Sequence, residues 1–297
     1  MKMKILISHL PKNKWWGHGT PIYKDNPAMK QGLVPNQELV EIEMYIMTQL
    51  FNRLPFEVVE VDFPRFLDKQ NLDQRQHDFV FVRDLFISNQ KGSLIISKFS
   101  EKARQVESDI MEIMLNSMGY KTVRIPDNIH ANAEGGEFYY CAGQKILFSG
   151  LCRNNIKGAE WVAQEFNASE LVLLKSDVFH IDTLFTPVIN KDNELGGIVA
   201  CTELMDKESK IQLKNFANLH GIELVEVGLE DSIGTDKKLG EFSVNCCPLP
   251  GYLIGPTRFR SAEVSQLLSR LGVMHITVPT TQFRLSGGSV HCLTNEL

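Results

Sequence analysis

Four short clusters in this sequence hold residue types that can move protons or attack an electrophile. They are Phe81-Val82-Arg83-Asp84, Glu134-Gly135-Gly136-Glu137, His180-Ile181-Asp182-Thr183 and Gly287-Gly288-Ser289-Val290-His291-Cys292. Paired glycines let a backbone turn tightly and approach a ligand, and a short extended run behind them would hold up the thiol of Cys292, which we read as a nucleophile. His180 and Asp182 stand two apart in a strand pattern, which puts both side chains on one sheet face. Asp84 interrupts an apolar run ahead of Leu85-Phe86-Ile87, and Glu134 comes just before two glycines. Singly, each has an ordinary explanation: a turn, a solvated strand end, an ion pair with Arg83 at a sheet rim. Jointly they are a thiol, an imidazole and three carboxylates, a set that suits a planar cation. A guanidinium presents its N–H donors in a fork that carboxylates accept bidentately. A thiolate beneath its central carbon can attack while a histidine protonates the departing amine and then activates water.

Such a constellation requires elements that bring distant stretches together, and the elements recur. Extended runs at 79–87 and 93–97, divided by Asn89-Gln90-Lys91-Gly92, read as a hairpin; a helix over 101–117 and a strand over 121–125 follow. Val106, Ile110, Ile113 and Met114 mark that helix's expected buried face. The same order returns at 137–142, 145–149, 159–166 and 170–174, again at 180–189, 197–202, 207–219 and 223–227, and again at 242–247, 252–255, 262–271 and 275–278. The period is roughly 45 to 55 residues, which signals a repeat architecture, and the helix in every copy excludes an all-β blade.

The N-terminal stretch supplies only a strand over 4–8, a helix over about 36–50 with Leu39, Ile42, Tyr45, Ile46 and Leu50 on one face, and a strand over 57–61. It lacks a hairpin partner that the strand around Cys292 can provide. Closure on that strand makes five ββαβ units around a pseudo-fivefold axis, an α/β fold. The repeats then run over roughly 1–76 with 280–297, 77–130, 131–178, 179–232 and 233–279. With no linker rich in Gly, Ser or Pro between units, one domain is expected. The long polar loop with Trp15, Trp16, Gly17, Gly19, Pro21, Asn26 and Pro27 reads equally as a lid or binding loop and as a plain connector, with Asn26 a candidate substrate contact.

Composition narrows the partners. A net charge of −5 gives no reason to expect nucleic acid or an anionic membrane, and permits a cationic small molecule. The apolar run 5–10 is broken by Ser8 and His9 and stopped by Pro11, too short for a signal-peptide core, and no segment approaches a membrane span. Cys141, Cys152, Cys201, Cys246, Cys247 and Cys292 show no C-x-x-C pairing, as expected of a cytoplasmic protein. A zinc site of His180, Asp182 and Cys292 would lack a second close-spaced ligand pair. Oligomer formation is compatible with the sequence.

In matching order from Phe79 to the C-terminus, the four clusters resemble the Phe-Thr-Arg-Asp, Glu-Gly-Gly-Asp, His-Leu-Asp-Thr and Gly-Gly-x-x-His-Cys-x-Thr motifs of the guanidino-group-modifying enzymes of pentein fold. These comprise arginine and agmatine deiminases, dimethylarginine dimethylaminohydrolases and amidinotransferases. The resemblance implies a five-bladed α/β propeller and hydrolysis of a guanidino C–N bond of arginine or a related small guanidine. Cys292 would be the nucleophile forming an S-alkylthiouronium, and His180 the general acid and base. Asp84 and Glu134 would hold the guanidinium nitrogens, and Asp182 would orient substrate and histidine. No metal or organic cofactor is implied. Glu137 stands where the family more often has Asp. Arg153 lies one place earlier than the family's carboxylate-binding arginine, and Arg104, with Glu107 one turn on, is the other candidate for that role. Relatives that strip both nitrogens tend to have Asn in place of Asp84, so a single hydrolysis is expected. The alternatives are an amidinotransferase, which shares the first half-reaction, and a non-catalytic ring protein similar to the ribosome-associated initiation factors of this fold. A cysteine hydrolase of peptides is disfavoured, because three carboxylates would repel an oxyanion.

Overall fold

The computed structural model describes residues 2–12, 26–68, 77–178 and 180–297. Trp15, Trp16, Gly17, Gly19 and Pro21, which carry the lid expectation, lie outside the described residues. Strand β1 (Lys4–Ser8) precedes helices α1 (Pro27–Lys30) and α2 (Gln37–Phe51), strand β2 (Glu57–Val61) and helix α3 (Arg65–Asp68). One pattern then repeats. Its first copy is β3 (Phe86–Ser88), β4 (Leu94–Ile96), α4 (Gln105–Ser117) and β5 (Thr122–Arg124), and its second is β6 (Phe138–Cys141), β7 (Ile146–Gly150), α5 (Ile156–Glu165) and β8 (Glu170–Leu174). The third is β9 (Phe185–Ile189), β10 (Leu195–Ala200), α6 (Lys207–His220) and β11 (Glu223–Glu226). A small hairpin, β12 (Gly234–Thr235) with β13 (Lys238–Leu239), precedes the fourth: β14 (Cys247–Leu249), β15 (Tyr252–Gly255), α7 (Ala262–Arg270) and β16 (Met274–Thr277). Strand β17 (Asn295–Glu296) comes last.

In each copy the first two strands pair antiparallel and the third joins parallel after the helix. Geometry requires this division, because a hairpin closes over a few residues whereas a parallel neighbour needs a crossover of a dozen or more. Strands β1 and β2 are also a parallel pair joined through α2, and β17 supplies the antiparallel partner, with Ile5 opposite Glu296 and Leu6 opposite Asn295. The C-terminal segment thus completes the first sheet, through Asn295 and Glu296 instead of Cys292, which lies in the turn just before them. Four of the five crossover helices start where a side chain satisfies a free N–H: Asn36 caps α2, Asn155 caps α5, Asp206 caps α6 and Ser261 caps α7, while α4 continues from a 3-10 turn with no side-chain cap. Among the described residues no helix is long and apolar enough to cross a membrane.

Two helices bury a different face from the one their apolar pattern predicts. On α2 the core takes Val40, Met44, Met47 and Phe51, while Leu39, Ile42, Tyr45 and Ile46 stay exposed. Both stripes have helical spacing, and the buried one contains Glu43, whose carboxylate accepts from the backbone N–H groups of Thr281 and Gln282. An acid that finds backbone donors inside is invisible to a hydrophobicity pattern. On α4 the fully buried residues are Glu107, Ser108, Met111 and Leu115; of the expected face Ile110 and Met114 pack partly buried on the core, Val106 is half-buried and Ile113 is exposed, the face having turned toward Glu107 and its Arg104 partner. The repeats also open differently from the prediction. The stretches 82–85 and 181–183, expected as strand, are 3-10 turns, so His180 and Asp182 are not alternate residues of a strand; the paired glycines do turn, in the 3-10 turn 135–137. Short apolar runs read alike as strand or turn.

A buried ion pair ties these turns to the last strand. Arg83 donates from Nη1 to Glu296 Oε2 at 2.7 Å and from Nη2 to Oε1 at 2.9 Å, both side chains less than a tenth exposed. Asn295 Nδ2 adds donations to the carbonyls of Val82, Arg83 and Phe86. The geometry is the bidentate fork that makes an arginine–carboxylate pair both strong and directional. Replacing Glu296 by Ala strands a buried guanidinium, and we expect a loss of about 3–5 kcal/mol. Urea denaturation should show it as a lower midpoint with an unchanged slope; a midpoint equal to wild type would show the pair to be dispensable.

Candidate active site

Each of the five three-stranded sheets presents chemically competent side chains within a few residues ahead of its first strand. Asp84 precedes β3, Glu134 precedes β6, His180 and Asp182 precede β9, Asn245 precedes β14 and Cys292 precedes β17. Asp84, Glu134, His180 and Cys292 line one cleft of about 600 Å³, counting its open mouth, together with Arg104 and Arg153. Two glycines make the approach possible. A Cβ on Gly136 would lie 2.6 Å from His180 Nδ1 and 2.7 Å from Asp84 Oδ1, so any larger residue would push the imidazole and carboxylate apart. Gly287, at φ 96°, ends the 3-10 turn Phe283–Ser286 in the left-handed region and redirects the chain toward Cys292.

His180 is bracketed by carboxylates: Nε2 is 3.2 Å from Glu134 Oε2, and Nδ1 is 3.5 Å from Asp84 Oδ1. The other oxygens of these acids are held from behind. Glu134 Oε1 accepts from the backbone N–H and hydroxyl of Ser100, and Asp84 Oδ2 accepts from Arg104 Nη1 at 2.9 Å. Arg104 also donates to Glu107 Oε2, and its guanidinium lies over the Phe99 ring. The thiol of Cys292 is buried. Its Sγ is 3.2 Å from Asp182 Oδ2 and 3.2 Å from Asn245 Nδ2, and Asp182 Oδ2 is 2.8 Å from His291 Nδ1. Tyr139 stacks on His291 with ring centres 4.3 Å apart.

Burial and charge set the protonation states. Burial alone would raise the Glu134 carboxyl, but His180 and Ser100 outweigh it and hold it ionised at about 2. For His180, burial opposes the imidazolium, yet Asp84, Glu134 and Asp182 push the ring up to about 9. Burial raises Asp182 to about 7, with Asp84 adding and His180 opposing. The Cys292 thiol is driven well above its ordinary range by burial first, then by Asp182 and Asp84. His291 is held neutral by burial, with Arg83 and His180 adding to the effect. At neutral pH the cleft therefore contains an imidazolium, an ionised carboxylate and a protonated thiol. A cation entering it would favour the thiolate.

Of the residues singled out from sequence, Cys292, His180, Glu134 and Asp84 come together in the cleft. Asp182, expected to contact substrate, is fully buried and is not part of the cleft lining; its contacts are Cys292 and His291. Asn26 lines the cleft, but its side chain is engaged in starting α1, with Oδ1 accepting from Ala28 and Met29 and Nδ2 donating to the carbonyl of Leu285. Arg104 is drawn into the Asp84–Glu107 pair. The backbone N–H of Arg153 donates to Glu137 Oε1, and its guanidinium is 3.7 Å from Glu101. Glu137, which also accepts from Ile181 N–H, links the second and third copies of the repeat and does not line the cleft. Asn245 and His291 were not among the candidates, although Asn245 falls at the same phase of its repeat as Asp84, a signal the sequence does carry.

Solved structures of similar shape share little sequence. The N-terminal domain of ArgZ, an arginine dihydrolase from the ornithine-ammonia cycle in cyanobacteria, matches with a TM-score of 0.77 at 19% identity, covering 99% of this chain and 97% of that one. AgrE, solved with ornithine and NAD+, matches with a TM-score of 0.77 at 18% identity over 99% of this chain, which spans only 39% of its length. DDAH from Pseudomonas aeruginosa, solved with citrulline, matches with a TM-score of 0.72 at 17% identity over 100% of both chains. At such identities the likeness establishes the fold. No curated protein matches the sequence. The family profile described as N,N dimethylarginine dimethylhydrolase, eukaryotic, matches residues 23–297. The chain belongs to the N,N dimethylarginine dimethylhydrolase family, within the guanidino-group-modifying enzymes of pentein fold, and so to the hydrolases that act on C–N bonds of amidines.

Proposed function

We propose that the chain hydrolyses one guanidino C–N bond of arginine or an N-methylated arginine, releasing ammonia or an alkylamine and leaving a ureido product. The observation that carries this reading is the meeting of the Cys292 thiol with His180, Asp84 and Glu134 in one cleft. Asp84 Oδ1 is buried, 3.5 Å from His180 Nδ1 and without a hydrogen bond, so it retains acceptor capacity. A guanidinium nitrogen supplies a donor for it, and the cation offsets the clustered negative charge. With Arg104 held by Asp84 and Glu107, Arg153, which lines the cleft, is our candidate to meet a substrate carboxylate. Asp84 rather than Asn suits a single hydrolysis, and the family match supports a methylated arginine as substrate. We also assign the five sheets to the blades of an α/β propeller closed by β17, making one domain.

The proton inventory gives the steps. Substrate binding draws the proton from Cys292 Sγ to Asp182 Oδ2, 3.2 Å away. The thiolate forms a C–S bond to the guanidinium carbon, giving a neutral tetrahedral species. The C–N bond to the departing amine then breaks as His180, already an imidazolium, donates its proton to that nitrogen. A covalent S-alkylthiouronium and a neutral His180 remain. His180 next takes a proton from water, and hydroxide adds to the same carbon. The C–S bond breaks as the carbonyl forms, Asp182 returns its proton to the sulfur, and the hydroxyl proton passes to solvent, where the released amine is protonated. Passage of the amidino group to an amine acceptor would replace only the water step, so ureido product formed from the guanidine alone distinguishes hydrolysis from transfer.

Cys292→Ser should lower turnover of arginine or its methylated forms by at least about a thousandfold while leaving the fold intact, given the usual size of nucleophile effects. Mass spectrometry during turnover should find the adduct on Cys292; an adduct on another cysteine would overturn the assignment. The pH profile follows from two groups. Asp182 must be ionised to accept the thiol proton, so kcat/KM should rise through about 7. His180 must be protonated to expel the amine, so it should fall above about 9. The optimum should lie between these values, and Glu134→Gln, which removes one anion beside His180, should move the alkaline limb to lower pH. An alkaline limb that stays put in that variant would remove His180 from the role of acid.

A further inference from the structure

Asn245 was not singled out by any motif, yet it makes more contacts to the thiol-bearing segment than its type would suggest. It is fully buried. Its Oδ1 accepts from the backbone N–H of His291 at 3.1 Å and approaches that of Cys292 at 3.4 Å. Its Nδ2 donates to the carbonyl of Asp182 at 3.0 Å and to Cys292 Sγ at 3.2 Å. Oxygen and nitrogen of a side-chain amide can be exchanged on geometry alone, but here the partners fix them. Two backbone N–H groups require an acceptor on one side, and a backbone carbonyl requires a donor on the other. The nitrogen therefore faces the sulfur.

The contacts of Sγ give this donor its meaning. Asp182 Oδ2 is an acceptor that suits the thiol and repels a thiolate, whereas the Ser289 backbone N–H and the Asn245 side chain are donors that favour the thiolate. The amide of Asn245 is a neutral donor, and its bond strengthens when the sulfur becomes negative. Asn245 also closes a pattern. It lies two residues ahead of its sheet's first strand, as Asp84 does, so the one repeat without a motif contributes to the site too.

We propose that Asn245 is a catalytic residue of this site, with its Nδ2–H the hydrogen-bond donor that holds the Cys292 sulfur and stabilises it as a thiolate, while its Oδ1 fixes the turn carrying that sulfur. The proposal rests on Cys292 being the nucleophile. Because Asn245 does not line the cleft, its loss should act on the sulfur and not on substrate affinity.

The test measures iodoacetamide labelling of Cys292 against pH, resolved by peptide mass spectrometry because Cys152 is exposed and would be labelled as well, alongside kcat, KM and thermal midpoint. In Asn245→Ala the labelling midpoint should move up by at least about one pH unit. In the same variant kcat should fall by at least about tenfold with KM within about threefold, the size of one hydrogen bond to a charged group. Asn245→Asp keeps the acceptor and the shape but removes the donor, and should show an equal or larger shift while retaining a folded chain; it decides the matter if the alanine variant does not fold. A wild-type labelling profile in a folded variant, or a loss of activity that follows the thermal midpoint with no labelling shift, overturns the proposal. If Cys292→Ser keeps its activity, the nucleophile assignment fails and the role of Asn245 with it. If Cys292→Ser is inactive while the Asn245 variants behave as wild type, only the Asn245 proposal fails.

Discussion

The fork between Arg83 and Glu296 is the contact on which the site's geometry depends. Glu296 belongs to the two-residue strand that completes the first sheet, four residues after the thiol, and Arg83 immediately precedes Asp84. Closing this pair brings the turn that carries the sulfur against the turn that carries a guanidinium-binding candidate. The backbone follows the same route, since Arg83 N–H donates to the carbonyl of Cys292 and Arg83 Nε to that of His291. A buried pair of this kind is poor evidence for net stability, but it specifies which surfaces meet. Here they are residues more than two hundred positions apart in sequence.

Around that join the molecule concentrates negative charge in a place that water reaches only from one side. Asp84, Glu134, Asp182, Glu137 and Glu107 are all buried, and the nearby cations are His180, Arg104 and Arg83. Burial alone would neutralise most of these acids, and Glu107 is indeed pushed up to about 8. Glu134 escapes that fate because an imidazolium and two Ser100 donors hold it. Burial first, and then Asp182 and Asp84, keeps the Cys292 thiol protonated. Under the function proposed above, a bound cation would release the thiol for reaction, which would protect a buried cysteine from indiscriminate chemistry.

Much of the architecture was legible in the sequence because it is periodic. Hairpin, helix and strand recur, several strands fall on their expected residues, including 170–174 and 252–255, and the absence of a hairpin in the first unit pointed to a C-terminal partner. The helix faces were less legible. Helix α2 has two apolar stripes, and the choice between them turned on Glu43 finding backbone donors at Thr281 and Gln282, which no local pattern encodes. The 3-10 turns at 82–85 and 181–183 were read as strand because apolar runs of a few residues look alike in either conformation.

By itself the sequence determined residue types and their phase: a thiol, an imidazole and carboxylates at equivalent points of successive repeats, with glycines where backbone must pass close to side chains. Covalent chemistry and spacing suffice for that. Tertiary structure alone decided what each group touches. It moved Asp182 from the cleft to the thiol, spent Asn26 on a helix start, drew Arg104 onto Asp84 and Glu107, and brought Asn245 to the sulfur. Hydrogen-bond partners and burial depend on chain segments far apart in sequence, and those two quantities set protonation and reactivity.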